Sequence, residues 1–228
     1  MEEGVSRKIS TAVPGFDRLL GGGLEPRMIT QFVGEAGSGK STLCLLAAVA
    51  VLRSGGGVVY IDSEGFSAER FSQIAGADTG DCAKRIYIEE PMTFAEQGAM
   101  IAGCEALLRA GKVQLLVVDS ATALYRVEQM ETREALSMLS HQMMVLLALA
   151  KRFDVPAVIT NQVFMDVDRH RLSGLGGTAL AHISKAIIRV EKRDGFRRAV
   201  VAKHRSRPEG EYWDFVITGD GVAAAEHR

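Results

Sequence analysis

The stretch GEAGSGKS, Gly34 to Ser41, lies between two apolar runs, MITQFVG (28–34) and TLCLLAAVAVL (42–52). It fits the pattern G-x-x-x-x-G-K-[ST]. Gly37 and Gly39 can take backbone angles closed to other residues, which lets successive N–H groups converge on one anion. A helix starting near Lys40 aims its positive end at the same point. In that setting Lys40 reaches the β- and γ-phosphates of a nucleotide, and Ser41 offers its hydroxyl to Mg2+. An apolar strand before the pattern and an apolar helix after it set this apart from a Gly-rich turn without a ligand. The expectation is therefore an ATP site with Mg2+.

Outward from this loop, short β-type runs alternate with helical patterns. VVYID (58–62), RIYIEE (85–90), VQLLVVDS (113–120) and VPAVITNQ (155–162) are almost wholly apolar. Strands without polar-out alternation belong inside a parallel sheet covered on both faces. Between them, Phe94, Gln97, Ile101, Cys104 and Leu108 recur at helical spacing up to Gly111. A second helix runs from about Glu131 to Phe153, with Leu136, Leu139, Met143, Leu146, Ala150 and Phe153 as its stripe. Met138 and Met144 read as gap fillers beside it. After about Ile183, IIRVEKR, RRAVVAKH and YWDFVIT follow one another with short connections such as Asp194–Gly195, which predicts antiparallel strands extending the sheet. The fold class is α/β: a mostly parallel central sheet flanked by helices, with antiparallel C-terminal strands. No linker or repeat divides the chain, so residues 1–228 read as one domain with a flexible first ten residues.

Bulk properties narrow the function. The 228 residues carry a formal charge of −1, with 47% hydrophobic and 24% charged residues, so a protein coated overall with positive charge is excluded. Cys44, Cys82 and Cys104 have no metal-ligand spacing and read as small apolar groups in a reducing compartment. The first residues, MEEGVSRKIS, lack the apolar core of a signal peptide. The apolar run 43–52 is too short for a bilayer, which takes roughly 20 residues. A cytoplasmic protein with no membrane partner is expected.

Three polar residues fall at the carboxyl ends of apolar strands, the ligand edge of such a sheet. Asp119 ends LLVVD and is suited to Mg2+, directly or through water; a helix N-cap is the alternative. Glu64, in YIDSEGF, is placed to orient or deprotonate water, with Asp62 as competitor and an idle loop carboxylate as the plain alternative. Gln162 ends VITNQ, where an amide either bonds a γ-phosphate or merely closes a strand.

Together GEAGSGKSTLCL, YIDSEGFSAERF, LLVVDS and VITNQV followed by a Gly-rich loop resemble the RecA/RadA recombinase ATPase core, over nearly the whole chain. TAVPGFDRLLGGGLEPRMIT is similar to the entry segment of that group. Within it, the short length, LLGGGLE and HRSRPEG are similar to a short archaeal paralogue of the main recombinase. The resemblance implies a RecA-like fold in which Gly34, Glu35, Ala36, Gly37, Ser38, Gly39, Lys40, Ser41 and Thr42 bind the triphosphate. It also implies that Glu64 is the hydrolytic base, that Asp119 serves Mg2+ and that Gln162 senses the γ-phosphate. Arg70 matches an arginine that stacks on adenine, although the segment from Glu64 is one residue shorter than in the full recombinases. Residues 163–177 match a second DNA-binding loop. The N-terminal DNA-binding domain and the aromatic linker of the full recombinases have no counterpart here. The implied role is a weakly hydrolysing accessory ATPase that assists a RecA/RadA-type recombinase, without strand exchange of its own.

A basic strip runs from Lys185 to Arg207, with Glu191 and Asp194 as its only acids, and the preceding loop adds Arg169, His170 and Arg171. It reads as a footprint for DNA, single-stranded or branched, or as a solvated strand face. Lys203 and Arg205 admit a further reading: spaced to share one side of a strand, they can meet nucleotide bound to a neighbouring subunit of a homo-oligomer. Arg169, Arg171 and Arg197 or Arg198 would then face DNA. Two rivals stand beside the accessory ATPase. One is a KaiC-like signalling ATPase or kinase acting on a protein without DNA. The other is an adaptor whose ATP site only supports the fold.

Overall fold

The computed structural model describes residues 7–127, 133–166, 171–174 and 177–226. In chain order the elements are α1 (Pro14–Leu19), β1 (Ile29–Gly34), α2 (Lys40–Arg53), β2 (Val58–Asp62), α3 (Ala68–Ala75), a 3-10 turn (Gly76–Asp78), α4 (Thr79–Ala83), β3 (Ile86–Glu89) and α5 (Phe94–Arg109). Then come β4 (Leu115–Asp119), α6 (Ala123–Val127), α7 (Arg133–Phe153), β5 (Ala157–Asp166), β6 (Arg171–Gly174), α8 (Gly177–Ile183), β7 (Ala186–Lys192), β8 (Arg197–Lys203), β9 (Tyr212–Thr218) and β10 (Gly221–Ala224).

The strand order is β10-β9-β8-β7-β1-β5-β4-β2-β3, with β6 paired only to β5. From β3 to β7 all neighbours are parallel; β8, β9 and β10 extend the sheet antiparallel. The apolar runs explain this arrangement. Side chains alternate across a strand, and both faces of β1, β2 and β4 are covered; β3, from the run expected to be covered too, is the edge strand and is half-buried to exposed. Val58 and Tyr60 of β2, with Leu115 and Val117 of β4, join a core with α2 and α3. Val59, Ile61, Leu116 and Val118 join a second core with α5 and α7. Helix α2 is buried on most sides because it lies between the sheet and α3.

The α5 stripe is buried at all five expected positions. In α7 the stripe holds at Leu139, Met143, Leu146 and Ala150, whereas Leu136 is exposed and Phe153 half-buried; Met138 and Met144, expected as gap fillers, are exposed as well. Ala135 and Gln142 are also buried. Gln142 joins that buried face: its amide donates to the Phe94 carbonyl (2.8 Å) and accepts from Gln97 (3.0 Å) inside the second core. A polar side chain with buried partners can occupy an inward position that apolar periodicity does not predict.

Four further expectations are corrected. Residues 8–10, expected to be flexible, are tied to the fold: Lys8 donates to the Gly21 carbonyl, Ile9 bridges Leu24, and Ser10 donates to Asp17; residues 1–6 lie outside those described. Strand β5 does not end at Gln162 but continues to Asp166 and pairs antiparallel with β6, Val163 opposite Gly174 and Asp166 opposite Arg171. Part of the expected loop 163–177 is therefore an antiparallel strand pair, continuing β5 through the β-prone run QVFMD. β7 lies parallel to β1, so the antiparallel extension begins only at β8. Finally, β8 stops at Lys203, so Arg205 lies beyond the strand. All three cysteines are buried as expected, and burial pushes the Cys104 thiol up to about 12.

Among the described residues no helix is long and apolar enough to cross a membrane.

Candidate nucleotide site

Strand β1 ends at Gly34 and α2 begins at Lys40, so the loop between them stands at the carboxyl edge of the parallel strands. Gly34 has to be glycine, because a Cβ there would meet the Val190 carbonyl oxygen of β7 at 2.2 Å. Gly37 (φ 66°) and Gly39 (φ 104°) occupy the left-handed region, the backbone freedom the loop needs. Gly39 precedes α2 without any side-chain cap, which leaves the first-turn N–H groups without a side-chain acceptor. The Ser38 hydroxyl is buried and unpartnered. Lys40 is 7% exposed, and its Nζ donates to the carbonyls of Gly34 (3.0 Å) and Glu35 (2.9 Å). Burial lowers its pKa, and nearby Glu64 and Asp119 offset part of that. Glu35, Ala36, Gly37 and Ser41 are exposed, and Thr42 half-buried.

The carboxylates sit across β5, at the ends of β4 and β2. Register pairs Asp62 with Asp119 at the ends of β2 and β4. Asp119 is 3% exposed, accepting from Tyr60 Oη (2.7 Å) and Thr160 Oγ1 (2.5 Å). It does not act as a helix N-cap through its side chain among these contacts. Asp62 has a different task. Its Oδ1 accepts from the backbone N–H of Glu64 (2.8 Å) and Gly65 (2.7 Å), shaping the turn that presents Glu64. Burial pushes Asp62 up to about 6, with Asp119 and Glu64 adding to the rise and the two N–H groups opposing it. The Glu64 side chain is exposed above the rim.

Gln162 reaches the same place from β5, where register sets it opposite Gly34. Its Nε2 donates to Glu64 Oε1 (2.7 Å), and its Oε1 accepts from Arg126 Nη1 (3.0 Å). Lys40, Asp119, Glu64 and Gln162 thus converge from four elements. Arg126, at the end of the short α6, is a rim residue the sequence reading missed; ATALYR (121–126) carries no signal for it beyond proximity to Asp119. Lys192 was counted only as part of the basic strip. Its Nζ lies 3.3 Å from where a Gly37 Cβ would stand, and its charge contributes to lowering the Lys40 pKa. A cavity of about 280 Å³ beside the loop is lined by Gly34, Val163, Arg189 and Lys192 among others.

The remaining candidates lie apart. The Arg70 guanidinium bonds the carbonyls of Thr218 (2.9 Å), Gly219 (3.0 Å) and Gly221 (2.8 Å), tying α3 to the β9–β10 turn. Such in-plane bonds fix the guanidinium while leaving stacking to its faces. Arg198 forms a two-pronged pair with buried Asp214 (both 2.7 Å) and lies over the Tyr212 ring, an arrangement that ties it to the fold. The Arg197 side chain is half-buried and its Nε unpartnered. Arg171 opens β6; Arg169 lies outside the described residues. Lys203 donates to the Ala181 (2.5 Å) and Ser184 (2.9 Å) carbonyls at the end of α8, and Arg205 stands 3.7 Å from Glu25. With the strand ended at Lys203, the argument that these two share one side does not hold.

The basic strip is also more neutralised than its sequence suggests. Arg189 and Arg193 share Glu191, Arg198 pairs with Asp214, Arg205 with Glu25 and Arg207 with Glu211. Pairing across strands and with the entry segment supplies acids that a count along 185–207 leaves out.

The chain matches the Rad51 family over residues 5–225. It belongs to that family. A "DNA repair and recombination protein RadB" of Methanoculleus marisnigri is 62% identical over 217 residues, covering 94% of this chain and 97% of that one. One of Methanococcoides burtonii is 43% identical over 225 residues, with coverage of 96% and 98%. A solved structure described as the crystal structure of the RadB recombinase superposes with a TM-score of 0.81 at 36% identity, covering 96% of this chain and all of that one. The RecA-like α/β fold and the resemblance drawn from the motifs hold, and the short archaeal paralogue corresponds to these RadB proteins.

Proposed function

We propose that this Rad51-family chain is an ATP- and Mg2+-dependent accessory protein of DNA repair and recombination. It hydrolyses ATP slowly, binds DNA and supports a RecA/RadA-type recombinase, with residues 1–228 acting as one core. One observation carries the reading: Lys40, Asp119, Glu64 and Gln162 meet at a single rim above a loop whose glycines stand in the left-handed region. The RadB names of the relatives support the biological setting.

The residues fit the ligand. The loop offers uncapped N–H groups and a buried ammonium that rests on backbone carbonyls until an anion takes their place. Among the described residues no group of three or more His, Cys, Asp or Glu forms a metal cage. This suits Mg2+, which keeps its waters and arrives with the phosphates; Ser41 and Asp119 would hold it there. Mg2+ with the triphosphate supplies charge neutralisation at the transferring phosphoryl group. Glu64 orients or deprotonates water, Gln162 reads the γ-phosphate, and Arg70 presents a guanidinium face to adenine. Arg169, Arg171 and Arg197 form the DNA surface, with Arg198 bracing it from its place on Asp214. Lys203 and Arg205 lie at the sheet edge away from their own phosphate loop. Any nucleotide they meet therefore belongs to a second copy, and Arg205 is the freer of the two.

The test is DNA affinity across a salt series, with and without Mg·ATP. The expected result is a log–log fall of affinity with salt and a change in affinity when nucleotide binds. Nucleotide binding without DNA binding at any salt would move the protein to a signalling ATPase that acts on a protein partner.

A further inference from the structure

We infer that Arg126 is a positioning residue that sets the orientation of the Gln162 amide and, through it, the protein's preference for a triphosphate over a diphosphate. The inference rests on the nucleotide-site reading above. Its basis is the chain Arg126 Nη1 to Gln162 Oε1 (3.0 Å) and Gln162 Nε2 to Glu64 Oε1 (2.7 Å).

The two ends of that chain leave the amide no choice. A guanidinium has only donors, and an ionised carboxylate has only acceptors. A glutamine bridging them must turn its oxygen to Arg126 and its nitrogen to Glu64. The nitrogen then faces the rim that also holds Lys40 and Asp119. A terminal phosphate arriving there is another acceptor, so it meets a donor already aimed inward. Without Arg126 the oxygen loses its outer anchor. The side chain can then swing toward solvent, or present Oε1 to the incoming phosphate, which repels it. Gln162 alone cannot prevent this, because its two ends are nearly the same size and shape.

Chain topology explains why the partner is Arg126. Helix α6 follows β4 directly, and β4 neighbours β5 in the sheet. A residue one turn into α6, which begins at Ala123, therefore stands above the end of β5. Arg126 touches no phosphate in this scheme and acts only through Gln162.

The experiment is an equilibrium titration of a non-hydrolysable ATP analogue and of ADP, with Mg2+, into wild type, Arg126→Ala, Arg126→Lys and Lys40→Ala. Thermal stability and affinity for a single-stranded oligonucleotide are measured on the same proteins. Wild type is expected to favour the analogue. Arg126→Ala should lose that preference by about tenfold, the value of one charge-assisted hydrogen bond, with ADP affinity and melting temperature unchanged. Arg126→Lys, still only a donor, should stay within about twofold of wild type. The inference is overturned if wild type shows no preference, or if Arg126→Ala keeps it. It also falls if Arg126→Ala weakens both nucleotides alike, or if it loses only oligonucleotide affinity, which would make Arg126 a DNA contact. The wider reading fails separately: Lys40→Ala should lose both nucleotides, and its retention of both would refute the nucleotide site itself.

Discussion

The β7–β8 hairpin carries basic residues at both of its ends, and the ends have different fates. At the rim, Lys192 lies level with Arg197, next to the phosphate loop, and makes no ion pair among the described residues. At the opposite edge, Lys203 lies level with Ile187 and is absorbed by the carbonyls that close α8. The two lysines look alike in the sequence. What separates them is which element packs against each: the glycine-bearing loop at the N-terminus of α2 in one case, a helix C-terminus in the other. Only the second attracts a cation; the first is the positive end of α2, and Lys192 stands beside it without an ion pair among the described residues.

This contrast can be broken or sharpened by three substitutions. The largest effect belongs to the rim. Lys40→Ala removes the ammonium that now bonds two loop carbonyls, and nucleotide affinity should fall about 100-fold, the loss of two charge-assisted bonds. Circular dichroism should be unchanged, and an unaltered titration would mean the rim does not receive the phosphates. At the far edge Lys203→Ala should act on the fold. Losing the bonds to Ala181 and Ser184 should lower unfolding free energy by about 1 kcal/mol in denaturant melts, with the nucleotide affinity of the isolated subunit intact. A drop in that affinity would erase the distinction between the two ends. The smallest effect is Lys192→Ala, where an exposed ammonium near Gly37 should be worth about threefold in nucleotide affinity at low salt and less at high salt. An effect confined to DNA binding would assign Lys192 to the nucleic-acid surface instead.

How much could be read beforehand depended on the range of the signal. The bend of the glycine-bearing loop before α2, the buried strands β1, β2 and β4 and the α5 stripe are local patterns, and each was legible; the edge position of β3 was not. The task of Asp62 was not. It competes with Glu64 in sequence, and only its bonds to the Glu64 and Gly65 N–H groups show one carboxylate shaping the turn that exposes the other. In helix α7 the small Ala135, not the larger Leu136, takes the inward position, and Gln142, a polar residue, faces inward to Gln97 and Phe94. Arg126 gave no signal, since its meaning arises from the adjacency of β4 and β5.

The order of motifs along the chain, with glycines where the loop must bend and apolar runs where the sheet is covered, determined by itself a RecA-like α/β core of the Rad51 family with a phosphate-type loop at its rim. The tertiary structure alone decided which charges remain free. Asp214 and Glu25 reach Arg198 and Arg205 only after antiparallel pairing and closure of the entry segment, whereas Glu211 lies only four residues from its partner Arg207. The reason is physical: backbone preference and burial act over a few residues, whereas the neutralisation of a charge depends on whatever side chain the fold brings within a few ångströms of it, however distant in sequence.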